Sequence, residues 1–228
     1  TIYVASAYVA GASVFTAIFP SLSSHAAMII FALAMLLITF FGGFKAVCWT
    51  DFFQGILMFA ALKTVPILIA ITKDMDPAAL SVVYSYKDAV SGEMVECSFG
   101  TGLFDASWQD IISGLAWGLG YFGMPHILVR FMSIEKPSMV KKSATVAIIW
   151  VICALGCACL IAYFGRMFLA EELLTAGAQK MVFIDFARKL FPSFIAGILM
   201  AAIIAASMST ADSQLLVASS SFTSDIYK

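Results

Sequence analysis

The sequence predicts an all-α transmembrane protein of about six membrane-spanning helices, one of them broken. Three observations carry this. Of the 228 residues, 62% are hydrophobic and only 12% charged, about half the charge of a soluble domain. A chain this apolar cannot cover itself with polar surface, so lipid must be its solvent. Its apolar residues fall into runs near the roughly 20 residues that a helix needs to cross a bilayer. Inside one such run, Ile111 to Met132, the stretch Trp117-Gly-Leu-Gly-Tyr-Phe-Gly-Met-Pro-His126 places three glycines and a proline where a membrane helix should be most regular. Proline removes a backbone donor and glycine weakens a helix. Backbone groups freed in hydrocarbon are tolerated only against protein or a water-filled cavity. A break at mid-membrane therefore points to a substrate or ion site.

The elements follow in order. The first span covers residues 1–19, and Pro20-Ser-Leu-Ser-Ser-His25 reads as a turn. The second span, 26–41, is ended by Gly42-Gly43, and the third covers 47–72. A polar loop, 73–105, precedes the broken fourth span, 108–132. The fifth span is 143–168. Residues 169–191 mix charge with apolar side chains, and Val182, Phe183, Phe186 and Leu190 recur along one helical face, as in a surface amphipathic helix. The sixth span, 194–217, follows Pro192. Thr1 lies within an apolar run, with no initiator Met, charged leader or cleavage site before it, so it does not begin a signal peptide. Lys228 directly follows a helix end. The chain is expected to be an excerpt of a longer membrane protein.

Loop charge gives an orientation. Arg130, Lys136, Lys141 and Lys142 against Glu135 place the loop after the fourth span in the cytoplasm. The 73–105 loop carries Asp74, Asp76, Asp88, Glu93, Glu96 and Asp105 against Lys73 and Lys87, which suits the outside. The turn with Lys45 then falls inside. The 169–191 segment falls outside although it carries Lys180, Arg188 and Lys189, and longer loops obey the rule less well.

A net charge of -1 and the lack of a basic patch with interleaved aromatics argue against a nucleic-acid partner. Cys153, Cys157 and Cys159 lack zinc-site spacing and read as small buried or lipid-facing residues, while Cys97 sits in the polar loop. The two histidines, His25 and His126, belong to no nucleophile elbow, catalytic aspartate pair or HExxH motif, so no enzyme is expected.

Several residues remain as candidates for chemistry. Ala206, Ser209 and Thr210, at i, i+3 and i+4, share one face of the sixth helix. Two hydroxyls and a carbonyl form part of a shell for a small hard cation such as sodium. The same small residues also suit close helix packing in lipid. Ser219-Ser220-Ser221 reads as a packing and helix-end feature. Trp117, Tyr121 and Pro125 recur every four residues around the break, where aromatics either pack or line a pocket. Asp51 sits at the start of the third span as an interfacial acid or a residue on a cation path. Lys63, well inside that span, should pair or face a cavity. Asp212 points away from Thr210 and either attracts cations or pairs with one elsewhere.

Taken together, Gly42-Gly-Phe-Lys-Ala-Val-Cys-Trp-Thr-Asp51-Phe-Phe-Gln54, the block Trp117 to Phe131, Ala206-Ser-Met-Ser-Thr210 with Gln214-Leu-Leu-Val-Ala-Ser-Ser, and Asp225-Ile-Tyr-Lys228 resemble the sodium:solute symporter family. With Thr1-Ile-Tyr3-Val-Ala-Ser-Ala, they are most similar to its proline-carrying bacterial members. The blocks keep the expected order across the whole chain. The resemblance implies a leucine-transporter-like fold of two inverted five-helix repeats. This chain would hold helices three to five of the first repeat and one to three of the second. The first broken helix, among the missing helices of the same full-length protein, would complete the sodium shell. By motif, the Ala206 carbonyl and the Ser209 and Thr210 hydroxyls would bind sodium. Trp117, Tyr121 and Pro125 would contribute to substrate binding, with Tyr3 near the substrate pathway and Asp51 linked with the sodium path. The implied activity is sodium-driven uptake of L-proline across a bacterial cytoplasmic membrane by alternating access. Uptake of another small organic solute is the nearest alternative, and an ion channel or intramembrane enzyme the more distant ones. Met124 stands where proline carriers commonly have Gln, and Lys63 and Asp212 replace apolar or small residues.

Overall fold

The computed structural model describes residues 2–74, 77–80, 83–87, 92–97, 107–169, 172 and 178–227. Seven α-helices dominate it: α1 (Ile2–Ile18), α2 (Ser24–Thr72), α3 (Trp108–Gly120), α4 (Pro125–Met132), α5 (Pro137–Leu169), α6 (Val182–Leu190) and α7 (Ser193–Ser221). A π-helical turn, Phe222–Tyr227, extends α7. Helices α2, α5 and α7 are long and apolar enough to cross a bilayer. Helices α3 and α4 pass the same test only together, as a pair bent by 47°. Helix α1 is apolar but shorter. With its apolar helices open to lipid, this is a multi-pass membrane protein of all-α transmembrane class.

At about 1.5 Å per residue, the 49 residues of α2 would reach more than twice the ~30 Å hydrocarbon core. Gly43 divides it. Its backbone, φ 55° and ψ -155°, is far from helical and lies where a Cβ is poorly tolerated. A β-carbon at Gly42 would lie 2.0 Å from that of Ala46. Both residues of the Gly42-Gly43 pair thus have a steric reason. At the start of α2, the Ser23 hydroxyl accepts from the Ala26 N–H at 3.3 Å, capping a helix that begins just after the Pro20 turn.

The chain divides into two compact units, Thr1–Ala61 with Phe191–Lys228, and Leu62–Leu190. In the first, α1 packs on α7, and Phe31, Met35 and Ala211 form a buried cluster with Tyr8, Phe15, Met208 and Leu215 around it. The Phe31 ring rests on the backbone of α1, where a β-carbon at Gly11 would lie 2.6 Å from it. Tyr8 and Phe15 meet the same ring edge-on, at 6.1 and 6.0 Å between centroids. Residues 8, 11 and 15 share one helical face, so a single glycine there admits an aromatic from α2.

In the second unit α6 packs on α5. Ile184, Phe186 and Ala187 are its buried residues, while Arg188 and Lys189 are exposed. Of the expected stripe only Phe186 is buried, with Val182, Phe183 and Leu190 half-buried, and Ile184 and Ala187 complete the buried side. The helix is also confined to nine residues, shorter than the 169–191 segment expected from pattern. Lys189 pairs with Glu172 across exposed surface. Within the stretch expected as a polar loop, β1 (Tyr84–Lys87) and β2 (Met94–Cys97) form an antiparallel pair, Tyr84 opposite Cys97 and Lys87 opposite Met94. Gly92, at φ 72°, lies in the connection. Tyr, Val and Met in short runs around a Ser-Gly pair carry a hairpin signal that the segment's acidity obscures. A 3-10 turn, Pro77–Leu80, precedes the hairpin, and residues 75–76, 81–82, 88–91 and 98–105, which include Asp76, Asp88 and Asp105, lie outside the described residues.

Gly11→Ala is expected to cost about 1–3 kcal/mol through overpacking, read as a lower unfolding temperature of the detergent-purified protein. Combining it with Phe31→Leu should recover part of the loss. Equal stability of Gly11→Ala and the parent would show that the ring does not depend on the bare backbone.

Candidate functional site

Helix α7 is apolar at its start and polar over its second half. Hydroxyls in that half bond back to the helix: Ser207 donates to the Ile203 carbonyl at 3.3 Å, Thr210 to that of Ala206 at 3.3 Å, and Ser213 to that of Ser209 at 3.0 Å. Residues 206, 209, 210 and 213 form one stripe. Two of the three predicted cation ligands, the Ala206 carbonyl and the Thr210 hydroxyl, are thus already adjacent. The Ser209 hydroxyl makes no hydrogen bond among the described residues, and Ser209 is half-buried while Thr210 is exposed. This stripe can present two hydroxyl oxygens and one carbonyl oxygen, a donor set suited to a hard monovalent cation.

Asp51 joins this stripe. The Ser213 hydroxyl donates to Asp51 Oδ2 at 3.3 Å as well as to the Ser209 carbonyl. A carboxylate predicted only as an ion-path residue therefore stands one hydrogen bond from the stripe, and Ser213 is the link. Sequence reasoning stopped at Thr210, although Ser213 continues the same spacing.

Beside this stripe, about 100° around the helix from Ser213, Asp212 is completely buried, at 0% exposure. Thr39 of α2 donates to its Oδ1 at 3.4 Å. Asp212 Oδ2, Gln54 Oε1 and Gln214 Oε1 are buried without a hydrogen-bond partner among the described residues. Buried polar atoms are almost always satisfied, so these three acceptors call for partners beyond the described residues. Tyr3 lies exposed on α1, where its carbonyl accepts from Ser6 at 2.8 Å.

The predicted break is present in the second unit. Ser107 caps α3, accepting from the Asp110 N–H at 3.2 Å and donating to its carboxylate at 2.7 Å. The helix tightens into a 3-10 turn, Tyr121–Gly123, and Met124 is extended at φ -74° and ψ 115°. Pro125 then opens α4, a position where its missing N–H costs nothing. Tyr121 and Pro125 are exposed beside this break. Trp117 lies on α3, but its side chain falls outside the described residues. Lys63 is half-buried on the later part of α2.

Residues 1–228 match in full the family described as the sodium:solute symporter family. Among curated relatives, sodium/proline symporter 2 of Staphylococcus saprophyticus is 38% identical over 228 residues, all of this chain and 42% of the relative. The sodium/proline symporter of Escherichia coli K12 is 40% identical over 232 residues, all of this chain and 44% of the relative. That of Staphylococcus aureus is 38% identical over 228 residues, again 42% of its length. The chain thus spans about two fifths of the length of these relatives. No solved structure matches it significantly. The chain belongs to the sodium:solute symporter family.

Proposed function

We propose that this chain is part of a secondary transporter that couples inward sodium flow to uptake of L-proline across a bacterial cytoplasmic membrane. Whole-chain similarity to proteins named sodium/proline symporter is the observation that carries the reading. In this reading the chain crosses the membrane six times: α1, the two arms of α2 on either side of Gly43, the bent α3–α4 pair, α5 and α7. The loop after α4 lies in the cytoplasm, and the 73–105 and 169–191 segments lie outside.

Sodium is held by the Ala206 carbonyl and the Ser209 and Thr210 hydroxyls, with further ligands from helices beyond this sequence. Asp51, tied to this stripe through Ser213, attracts the ion and receives it on its path. The open face at Thr210 supports this assignment. Substrate binds beside the broken helix, against Trp117, Tyr121 and Pro125, with Tyr3 near its pathway. Sodium and substrate couple because both favour the same conformation, and each then raises the affinity for the other. No bond is made or broken, so the reaction is transport and needs no catalytic group. Met124, at the break, favours a second reading in which the carried solute is another small organic molecule. Competition of labelled proline uptake by other amino acids separates the two.

Sodium-dependent uptake of labelled proline by the whole transporter is the direct test. With the double variant Ser209→Ala/Thr210→Ala, the half-saturating sodium concentration should rise at least about tenfold, since each lost oxygen removes about 1 kcal/mol or more. Unchanged sodium dependence at normal membrane abundance would sink the ligand assignment.

Tyr121→Ala or Trp117→Ala should raise the apparent proline constant or abolish uptake, while sodium binding measured separately changes less. Normal transport by both variants would reduce these aromatics to packing.

A further inference from the structure

We propose that Asp212 and Ser213 are positioning residues, two adjacent side chains on α7 that hold both arms of α2 and thereby set the face carrying Ser209 and Thr210. The inference rests on the sodium assignment above. Thr39, which donates to Asp212 at 3.4 Å, precedes Gly43. Asp51, which accepts from Ser213 at 3.3 Å, follows it. Between them Gly43 holds the non-helical backbone that separates the two arms. Neighbouring residues on a helix point about 100° apart, so one short segment of α7 reaches both arms at once.

Both contacts are long for hydroxyl–carboxylate hydrogen bonds. A small rotation of α7 would break them. Breaking the first leaves Asp212, 0% exposed, with neither carboxylate oxygen partnered among the described residues. A buried polar group left unpaired costs more than the bond itself contributes. The buried carboxylate therefore resists rotation of α7, and the stripe beside it keeps its setting. The Ser213 hydroxyl ties that setting to Asp51 and, through the Ser209 carbonyl, to the stripe itself. A preset stripe binds its ion without first being ordered.

The test uses Thr39→Val, Thr39→Ser and Asp212→Asn in the membrane-expressed transporter, reading half-saturating sodium, maximal rate, and the proline constant at saturating sodium. Valine keeps the volume of threonine but cannot donate, and asparagine keeps an oxygen that can accept from Thr39. Thr39→Val should raise half-saturating sodium about three- to tenfold, the worth of one hydrogen bond, leaving maximal rate and the proline constant unchanged. Thr39→Ser and Asp212→Asn should stay near the parent. If Thr39→Val does not reach the membrane, Ser213→Ala gives the same reading through Asp51. An unchanged sodium constant in a membrane-inserted Thr39→Val would overturn the proposal, because a merely structural contact alters abundance and not ion affinity. Asp212→Asn as damaging as Thr39→Val would overturn it too, since the charge would then be needed as a ligand. A parent without sodium-dependent uptake refutes the proposed function. A sodium-dependent parent with an unaltered Thr39→Val refutes only the clamp.

Discussion

In hydrocarbon no water waits to satisfy a polar group, and the second half of α7 is organised by that constraint. Its hydroxyls bond to carbonyls one turn back at 203, 206 and 209. Its carboxylate is buried against a threonine 173 residues earlier in the chain. These partners satisfy many of the polar groups, but not all. Acceptors on Gln54, Asp212 and Gln214 remain without a hydrogen bond among the described residues. Left unpaired in lipid such acceptors are costly, so they call for partners beyond the described residues.

The apolar packing beside it explains why the polar groups can stand so close. Gly11 removes the side chain that would otherwise meet Phe31, and Ala211 is buried in the same cluster. Without a hydrophobic driving force between helices, association in lipid relies on such close fits of small residues against large ones. Ala211 lies immediately before Asp212 and Ser213. The fit that seats α7 against Phe31 thus lies beside the contacts to Thr39 and Asp51.

Much of this was legible in the residues. Apolar run length located the long helices, Gly42-Gly43 marked the division of α2, and Gly and Pro between 117 and 125 marked the break before Pro125. The stripe at 206, 209 and 210 followed from helical spacing, because all its members lie on one element. What spacing cannot reach is a partner on another element. Thr39 with Asp212 and Asp51 with Ser213 are separated by 173 and 162 residues, and only the packing of α7 against α2 brings them together. The hairpin at 84–97 is hidden in the sequence for a different reason. Its strands are four residues each, too short for alternation to stand out against the acids around them.

The glycines divide into two kinds, and the division bears on mechanism. Gly11 is required by a neighbouring ring and Gly43 by its own backbone. At Gly114, Gly118, Gly120 and Gly123 an added β-carbon would meet nothing within 4 Å among the described residues, and none of the four has a positive φ. Among the described residues neither close packing nor a special conformation accounts for them. What glycine still supplies is a backbone that is cheap to rearrange and leaves its polar groups accessible. Those properties suit a stretch where the helix is interrupted before Pro125. Gly55, Gly156 and Gly197 are equally open within their helices, so openness alone does not mark the break; the extended backbone of Met124 and the proline that follows it do.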